Sequence, residues 1–290
     1  MTTQPLTRVT RALKKILVPL DGTPASEAIV PYVAGIAVHA GSKIVLLTCI
    51  AMSGEKADFA GGYLEKVAAP LRKRGLGVAT VVEQGEPGPG IVEASLRYET
   101  DLIAISSAAR PGGRQDALGA VVTHVLRSRV EPVLVLREED GRAAQDKWTP
   151  PPAAVVGLDG SVLAATALPQ AEAVARAYGS EIVLVRAVQP PDPLAGAARY
   201  YGTGEDNAER YLAGFAETLR QRGFKVATRT GHGAPEQELL AAAGSWPGAI
   251  IVISTRGMTG RPNLMLGSVT ERVIKAQRCP VLAIPAARDG

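Results

Sequence analysis

The sequence predicts an α/β fold made of two tandem, doubly wound domains, each with a five-stranded parallel sheet. Apolar runs of about four to eight residues alternate with amphipathic helical patterns, which is typical of βαβ units whose sheet carries helices on both faces. The same order of strands and helices occurs twice. With 290 residues, the chain is long enough for two domains of ordinary size.

The elements of the first copy follow one another at short intervals. The runs at 16–20 and 43–50 contain β-branched residues and few polar ones, as expected of strands buried on both faces. An Ala-rich amphipathic pattern between them predicts a helix over 24–40, and a second helix follows the second strand. The same reasoning then predicts a strand over 78–83, a helix over 91–98, a strand over 102–106, a helix over 121–128 and a strand over 133–136.

The second copy repeats landmarks of the first. The matching segments are 15–23 with 153–161, 40–47 with 178–185, and 72–80 with 220–228. Their spacing shows that the second copy carries an insertion within 189–207, whose Pro, Gly and Ala content predicts a loop. The chain is therefore predicted to consist of a first domain over 12–138, a charged and then proline-rich linker over 139–152, and a second domain over 153–286.

Composition argues against several classes of protein. Hydrophobic residues at 46% and charged residues at 21% predict a soluble protein with a full core, and a net charge of +4 without a Lys/Arg run gives no reason to expect a nucleic-acid partner. No apolar run approaches the length of a membrane span and no signal-peptide pattern is present, so we expect a cytoplasmic protein without membrane contact. Cys49 and Cys279 lie in apolar, strand-like segments, and the histidine and cysteine spacings predict no metal site.

The most informative segment is 254–273. It follows an apolar run at 249–253, which predicts a strand, and leads into a helical pattern that begins at about Ser268. Glycines, a basic side chain and a Gly-Ser pair at the helix start predict an anion cradle, in which backbone N–H groups face a phosphate. Asp159 ends the first strand of its copy and Ser254 ends the fourth, so both are predicted to face the crevice where the strand order reverses.

On these residues the chain resembles the universal stress protein family, over nearly all of both copies. Family members are similar in a first strand that ends with Asp and a small residue, and in a loop of the form Gly-x2-Gly-x9-Gly-(Ser/Thr) after the fourth strand. The second copy has Ser254-x2-Gly257-x9-Gly267-Ser268, in which only the first glycine is replaced. The resemblance implies a Rossmann-like fold and, for the branch of the family with this loop, binding of adenine nucleotides.

The resemblance implies a nucleotide site in the second domain. Asp159 would contact the ribose or the adenine edge, and Ala187 would offer backbone groups to the adenine. The remaining implied positions are Gly157 and Leu158 beside the aspartate, Ile253 and Ser254 on the sugar side, Arg256 and Gly257 near the phosphates, and Gly267, Ser268, Val269 and Thr270 in the cradle. Physical chemistry supports the set, because cradle amides and a hydroxyl favour anionic oxygens. For Asp159 a second interpretation stays open, since Asp-Gly-Ser is also a good helix start.

The first copy has lost part of this motif. Its sequence in the same frame is Ser106-x2-Ala109-x9-Gly119-Ala120. Ala109 adds a methyl group where a phosphate would approach, and Ala120 removes a hydroxyl whose hydrogen bond to a charged group is worth about 1.5–3 kcal/mol. We therefore expect the first domain to be mainly a structural partner, with Asp21 acting as a helix cap.

Three functions stay open at this point. The first, which the resemblance implies, is a largely non-catalytic regulatory protein of the stress response that binds ATP, with or without Mg²⁺, and acts on a protein partner that the sequence does not name. The second is a slow ATP hydrolase or an enzyme that transfers phosphoryl or adenylyl groups, although no Walker lysine pattern and no catalytic set can be assembled. The third is a ligand-free protein-interaction module, for which the intact second loop would be a coincidence.

The resemblance also predicts how the two domains associate. Domains of the family commonly dimerise through their fifth strands, which correspond to 133–136 and 280–284 here. In a tandem chain these two edges can pair within the molecule, forming a pseudo-dimer that covers strand edges otherwise open to aggregation. A homodimer of two such chains stays open.

Overall fold

The strands and helices occur in the predicted alternating order in both halves of the chain. The computed structural model describes residues 13–51, 55–107, 118–128, 131–138, 148–188, 205–257 and 266–285. The first half contains β1 (Lys15–Pro19), α1 (Pro24–Glu27), α2 (Ile29–Ala40), β2 (Lys43–Ile50), α3 (Glu55–Lys73), β3 (Val78–Gln84), α4 (Pro87–Arg97), β4 (Leu102–Ser107), α5 (Ala120–Ser128) and β5 (Val133–Arg137). The second half contains β6 (Ala153–Gly157), α6 (Val162–Ala165), α7 (Leu168–Tyr178), β7 (Glu181–Ala187), α8 (Glu205–Gln221), β8 (Val226–Gly231), α9 (Pro235–Gly244), β9 (Ile250–Ser254), α10 (Ser268–Ala276) and β10 (Val281–Ile284).

One helix differs from its prediction. The pattern over 24–40 forms two helices, α1 and α2, separated at Ala28. Pro31 lies in the first turn of α2 and has no N–H group to continue the hydrogen-bond ladder of α1. The second half divides in the same way, with Pro169 at the start of α7. These two prolines therefore mark the breaks.

The strands of both halves join into a single sheet, in the order β3-β2-β1-β4-β5-β10-β9-β6-β7-β8. Within each half the paired strands are parallel, and the order 3-2-1-4-5 is that of a doubly wound domain. The α/β fold class with two tandem parallel-sheet domains is confirmed. At the junction β5 pairs with β10 in antiparallel register, with Val135 opposite Val281, which is the pairing expected of the two fifth strands. The strand edges that would otherwise be exposed are thereby covered.

Two hydrophobic layers cover the two faces of this sheet, and each layer runs through both halves. One face packs against α2, α3, α7 and α8, and at the junction it includes Leu134 and Leu282. The other packs against α4, α5, α9 and α10, and there it includes Val135 and Val281. The apolar core is therefore continuous across the boundary between the halves.

The cysteines lie at the edges of this core. Cys49 is half-buried within β2, whereas Cys279 precedes β10 instead of lying in it. Burial, helped by the nearby carboxylate of Glu83, raises the pKa of the Cys49 thiol to about 11. The thiol is therefore protonated at neutral pH and a poor nucleophile.

The end of the linker contacts both halves. Most of the predicted linker, 139–147, lies outside the described residues, but Trp148 is described and its ring covers Gly35 of α2 so closely that a Cβ there would overlap it. The Trp148 ring lies 6.1 Å from that of Tyr32 and 5.1 Å from that of His39, both in the first half. It also lies 5.8 Å from the ring of Tyr178 in the second half. Trp148 thus joins helices α2 and α7.

No helix in the described ranges is long and apolar enough to cross a membrane.

Replacing Tyr178 with phenylalanine should stabilise the protein. The Tyr178 hydroxyl is buried and has no hydrogen-bond partner among the described residues, and burying such a group costs about 1–3 kcal/mol. Burial also raises the Tyr178 pKa from 10.0 to about 12. Because the folded state holds this proton more tightly than the unfolded state, the free energy of unfolding is constant below pH 10 with respect to this group and falls as the pH rises from 10 through about 12. Urea unfolding at pH 8 should show a gain of about 1 kcal/mol, and the loss between pH 10 and 12 should diminish.

Tyr63→Phe is the matched control for this variant. The Tyr63 hydroxyl donates a hydrogen bond to Glu27 Oε1 at 3.0 Å, so its removal should lower the free energy of unfolding by about 1 kcal/mol. If both variants lose stability equally, the Tyr178 hydroxyl is not the uncompensated group described here.

Candidate functional site

The predicted site residues lie together at the carboxyl ends of β6, β7 and β9 and at the start of α10. β6 and β9 are neighbours in the sheet, but the helix after β6 packs on one face and the helix after β9 on the other, so a crevice opens between the ends of these two strands. All of the predicted site residues of the second half fall within the described ranges. Residues 258–265, between the two parts of the predicted phosphate loop, lie outside them, as does Ala109 of the first half.

Asp159 and Gly257 are in direct contact across this crevice. A Cβ on Gly257 would lie well inside 3.0 Å of Asp159 Oδ2, a distance that real Cβ atoms do not reach. Asp159 Oδ1 accepts a hydrogen bond from the N–H of Ser161 at 2.9 Å. The cap of α6 is Ser161, whose hydroxyl oxygen accepts the N–H of Ala164 at 3.0 Å. The alternative interpretation of Asp159 as the helix N-cap is therefore wrong, and its carboxylate extends to the loop after β9.

Ser254 is held within the protein. Its side chain is buried, and its hydroxyl oxygen accepts long hydrogen bonds from the Thr166 hydroxyl and from the Arg256 N–H, both at 3.4 Å. The Thr270 hydroxyl donates to the Ser254 carbonyl at 2.8 Å. The serine that replaces the family's first loop glycine thus fixes the loop after β9 and the first turn of α10, and buried Ile253 anchors it from within the sheet.

The loop after β9 closes tightly on the start of α10. The Gly267 N–H donates to the Thr255 carbonyl at 2.7 Å, and the Thr255 N–H donates to the carbonyl of Ile284 at 2.8 Å. Gly267 is the N-cap position and α10 begins at Ser268, where the sequence predicts a helix start. Gly267 has no side chain with which to cap this helix, and the N–H groups of Ser268, Val269 and Thr270 form the positive end of its dipole. Such a helix start favours an anion.

Replacing Gly267 with alanine should weaken the binding of any anion at this helix start. A Cβ at Gly267 would lie 3.1 Å from the Thr255 carbonyl oxygen, so the loop must move by tenths of an ångström. We expect ATP affinity, measured by calorimetry, to fall by about threefold to tenfold, which is about 1 kcal/mol. At Gly119, its counterpart in the first half, a Cβ would meet no atom of the described residues within 4 Å. Gly119→Ala should change neither affinity nor thermal midpoint, and an equal response of the two variants would contradict this picture.

The other predicted residues define the walls of the crevice. The Leu158 N–H donates a hydrogen bond to the carbonyl of Val185 at 2.9 Å. Gly157 lies against Leu239, and Ala187 ends β7 opposite Gly231. The Arg256 Nε is buried and has no hydrogen-bond partner in the described part of the chain. An uncompensated buried guanidinium nitrogen fits a site that takes an anion.

Sequence reasoning missed Arg186 and Tyr211. Arg186 lies one residue before the end of β7, and its guanidinium carbon lies 4.7 Å from the centre of the Tyr211 ring. Its Nη2 would be 3.0 Å from a Cβ on Gly160, the residue that follows Asp159. Burial raises the pKa of Tyr211, Asp159 raises it further and Arg186 opposes this, so all three side chains share one electrostatic environment. Aligning the repeat beyond residue 185 would have revealed Arg186 in place of Thr48.

The corresponding region of the first half is built differently. Thr23 is the N-cap of α1, and Asp21 Oδ1 accepts hydrogen bonds from the N–H and the hydroxyl of Thr23 at 3.0 and 2.6 Å. The prediction that Asp21 caps this helix is therefore wrong. Burial alone would raise the pKa of Asp21, but the hydrogen bonds from Thr23 and Ser26 together lower it. The Ser106 hydroxyl is buried and unpartnered among the described residues, whereas its counterpart Ser254 has hydrogen bonds.

The sequence model of the universal stress protein family matches residues 12–137 and 153–285, which together make up most of the chain. The chain belongs to the universal stress protein family. A universal stress protein of Methanocaldococcus jannaschii is 30% identical over 135 residues, covering 45% of this chain and 79% of that protein. Another, of Mycobacterium tuberculosis, is 26% identical over 213 residues, covering 72% of this chain and 69% of that protein.

Solved structures agree at the level of the fold. The crystal structure of a universal stress protein from Archaeoglobus fulgidus has a TM-score of 0.74 with 19% sequence identity. It covers 96% of this chain, and the match spans 100% of that chain. The tandem architecture of this universal stress protein is thus shared with a solved relative along its full length.

Proposed function

We propose that this universal stress protein binds an adenine nucleotide, ATP above all, in its second half, and acts as a largely non-catalytic regulatory protein of the stress response. The observation that carries the proposal is the contact of Gly257 with Asp159. It brings a carboxylate suited to ribose hydroxyl groups beside a loop whose backbone is open to phosphate. The regulatory role in stress rests on family membership.

The residues of the crevice fit such a ligand in three respects. The uncapped start of α10 offers backbone N–H groups and the Ser268 hydroxyl to phosphate oxygens. Arg256 supplies a cation whose buried Nε has no hydrogen-bond partner among the residues that the structure describes. Asp159, fixed by the Ser161 N–H, lies against Gly257 and offers a carboxylate that can accept hydrogen bonds from ribose hydroxyl groups. Together these groups form an anion-binding end and a hydroxyl-binding end at one crevice.

A magnesium ion would depend on the nucleotide itself. Within the described ranges, no group of three or more His, Cys, Asp or Glu side chains could hold a metal. Mg²⁺ commonly keeps several waters and takes the remaining oxygens from phosphates. We therefore propose that any Mg²⁺ arrives with ATP and is held by its phosphates.

The test is to identify and measure the ligand. Purified protein is denatured, the released small molecules are identified by mass spectrometry, and ATP, ADP, AMP and GTP are titrated by calorimetry. We expect about one adenine nucleotide per chain. ADP accumulating from ATP would indicate the slow hydrolase instead, and neither retained ligand nor binding would contradict the proposal.

A matched pair of variants places the site in one half. Asp159→Ala should weaken ATP binding by about tenfold to a hundredfold, because a hydrogen bond to a charged group is lost. Asp21→Ala makes the same change in the first half and should leave that affinity unchanged. The opposite pattern would assign the nucleotide to the first half.

A further inference from the structure

Each half has an aspartate and a tyrosine at matching positions, but the charged group that accompanies them differs in sign between the halves. Asp21 and Asp159 follow the first strand of each half, and Tyr63 and Tyr211 occupy matching positions in α3 and α8. Each tyrosine is within electrostatic range of its aspartate, which raises the tyrosine pKa in both halves. The two halves differ in the further charged group that lies near the tyrosine.

In the second half the third group is a cation. The Arg186 guanidinium lies over the Tyr211 ring at 4.7 Å and against Gly160, whose φ of +96° lets the loop pass close to it. The position that corresponds to Glu27 is Ala165, which carries no charge. The charged groups that act on Tyr211 are therefore the carboxylate of Asp159 and the guanidinium of Arg186.

In the first half the third group is an anion. Glu27 accepts the hydrogen bond of the Tyr63 hydroxyl at 3.0 Å and, like Asp21, acts electrostatically on that tyrosine. The position that corresponds to Arg186 is Thr48, a buried residue whose hydroxyl donates to the Leu20 carbonyl at 2.7 Å. Tyr63 thus has two carboxylates near it, whereas the matching Tyr211 has a carboxylate and a cation.

We propose that Arg186 is a specificity-determining residue that makes the second crevice selective for anionic nucleotides over uncharged nucleosides. This rests on the proposed function and adds a cation outside the phosphate loop. Two carboxylates repel a polyanion such as ATP, whereas in the second half the positive charge of Arg186, beside Gly160 and Tyr211, offsets the negative charge of Asp159. The ligand class is a nucleoside phosphate. An uncharged nucleoside has no negative charge with which Arg186 could interact.

The experiment transfers the charges of the first half into the second. Arg186→Thr introduces the residue found at the matching position 48, and Ala165→Glu introduces the one found at position 27. Arg186→Lys and Ala165→Gln keep the charge of the wild type at each place. ATP and adenosine are titrated by calorimetry against the full chain at two salt concentrations.

We expect Arg186→Thr and Ala165→Glu each to weaken ATP binding by about tenfold, with a smaller loss at high salt because exposed charges are screened. Arg186→Lys and Ala165→Gln should stay within about threefold of the wild type, and adenosine should bind all variants alike. If wild-type protein binds ATP and Arg186→Thr binds it equally well, or if threonine and lysine weaken it equally, this inference is wrong and the proposed function stands. If wild-type protein binds no adenine nucleotide, both are wrong.

Discussion

Replacing Gly257 with alanine should strongly weaken the proposed binding of ATP. The new methyl group would overlap Asp159 Oδ2, so either the carboxylate or the loop after β9 must move away from the crevice. In the proposed site, this displaces either the carboxylate from the ribose hydroxyl groups or the loop from the phosphates. Loss of one such charged hydrogen bond costs about 1.5–3 kcal/mol, so affinity should fall by at least about tenfold to a hundredfold. Calorimetry and mass spectrometry of the released ligand measure the change.

Gly244→Ala is the control for this variant. Gly244 is exposed at the end of α9, and a Cβ there meets no atom. This variant should bind ATP as the wild type does, and both proteins should unfold at similar temperatures because the overlap at Gly257 lies at the surface of the crevice. Undiminished ATP binding by Gly257→Ala would remove the basis of the assigned site.

Truncating Trp148 to alanine should give the largest loss of stability. The half-buried ring fills the space above Gly35 and contacts aromatic rings of both halves, and its removal should cost about 3 kcal/mol, the lower end of the range for truncating a core aromatic side chain. Urea unfolding measures this loss. ATP affinity should not change, because the ring lies among α2, α7 and the linker instead of at the carboxyl ends of the strands.

Trp148→Phe separates packing from the indole nitrogen. Trp148 Nε1 is buried without a hydrogen-bond partner in the described ranges, so phenylalanine removes that cost while keeping an aromatic ring. It should recover more than half of the stability lost in the alanine variant. A loss below about 0.5 kcal/mol in Trp148→Ala, the size of an ordinary surface substitution, would show that the linker does not hold the halves together.

Much of the fold follows from the sequence because strand periodicity and the internal repeat are independent signals that agree. The runs at 43–50 and 133–136 match their strands to within a residue, since continuous apolar segments bounded by polar ones leave little freedom. The break at Ala28 was missed although its cause, Pro31, is visible in the sequence. A proline in the first turn of a helix is also an ordinary feature, so the pattern alone does not separate one helix from two.

The site was predictable where topology brings strand ends together and not where single side chains decide. Asp159 and Ser254 follow strands that are neighbours in any doubly wound sheet, so their proximity could be expected. Arg186 and Tyr211 belong to elements separated by the insertion, and nothing in the spacing indicates that a guanidinium in β7 lies over a ring in α8. The cap positions at Thr23 and Ser161 were missed because Asp, Ser and Thr are nearly equivalent as caps.

The antiparallel pairing of β5 with β10 gives the molecule two poles. Parallel strands in the first half run in one direction and those in the second half in the other, so the carboxyl ends of β1 and β4 lie at the opposite edge of the sheet from those of β6 and β9. A ligand at one pole neither touches nor obstructs the other. The first pole can therefore differ from the second at positions such as Thr48 and Ala120 without disturbing it, although both halves share one apolar core.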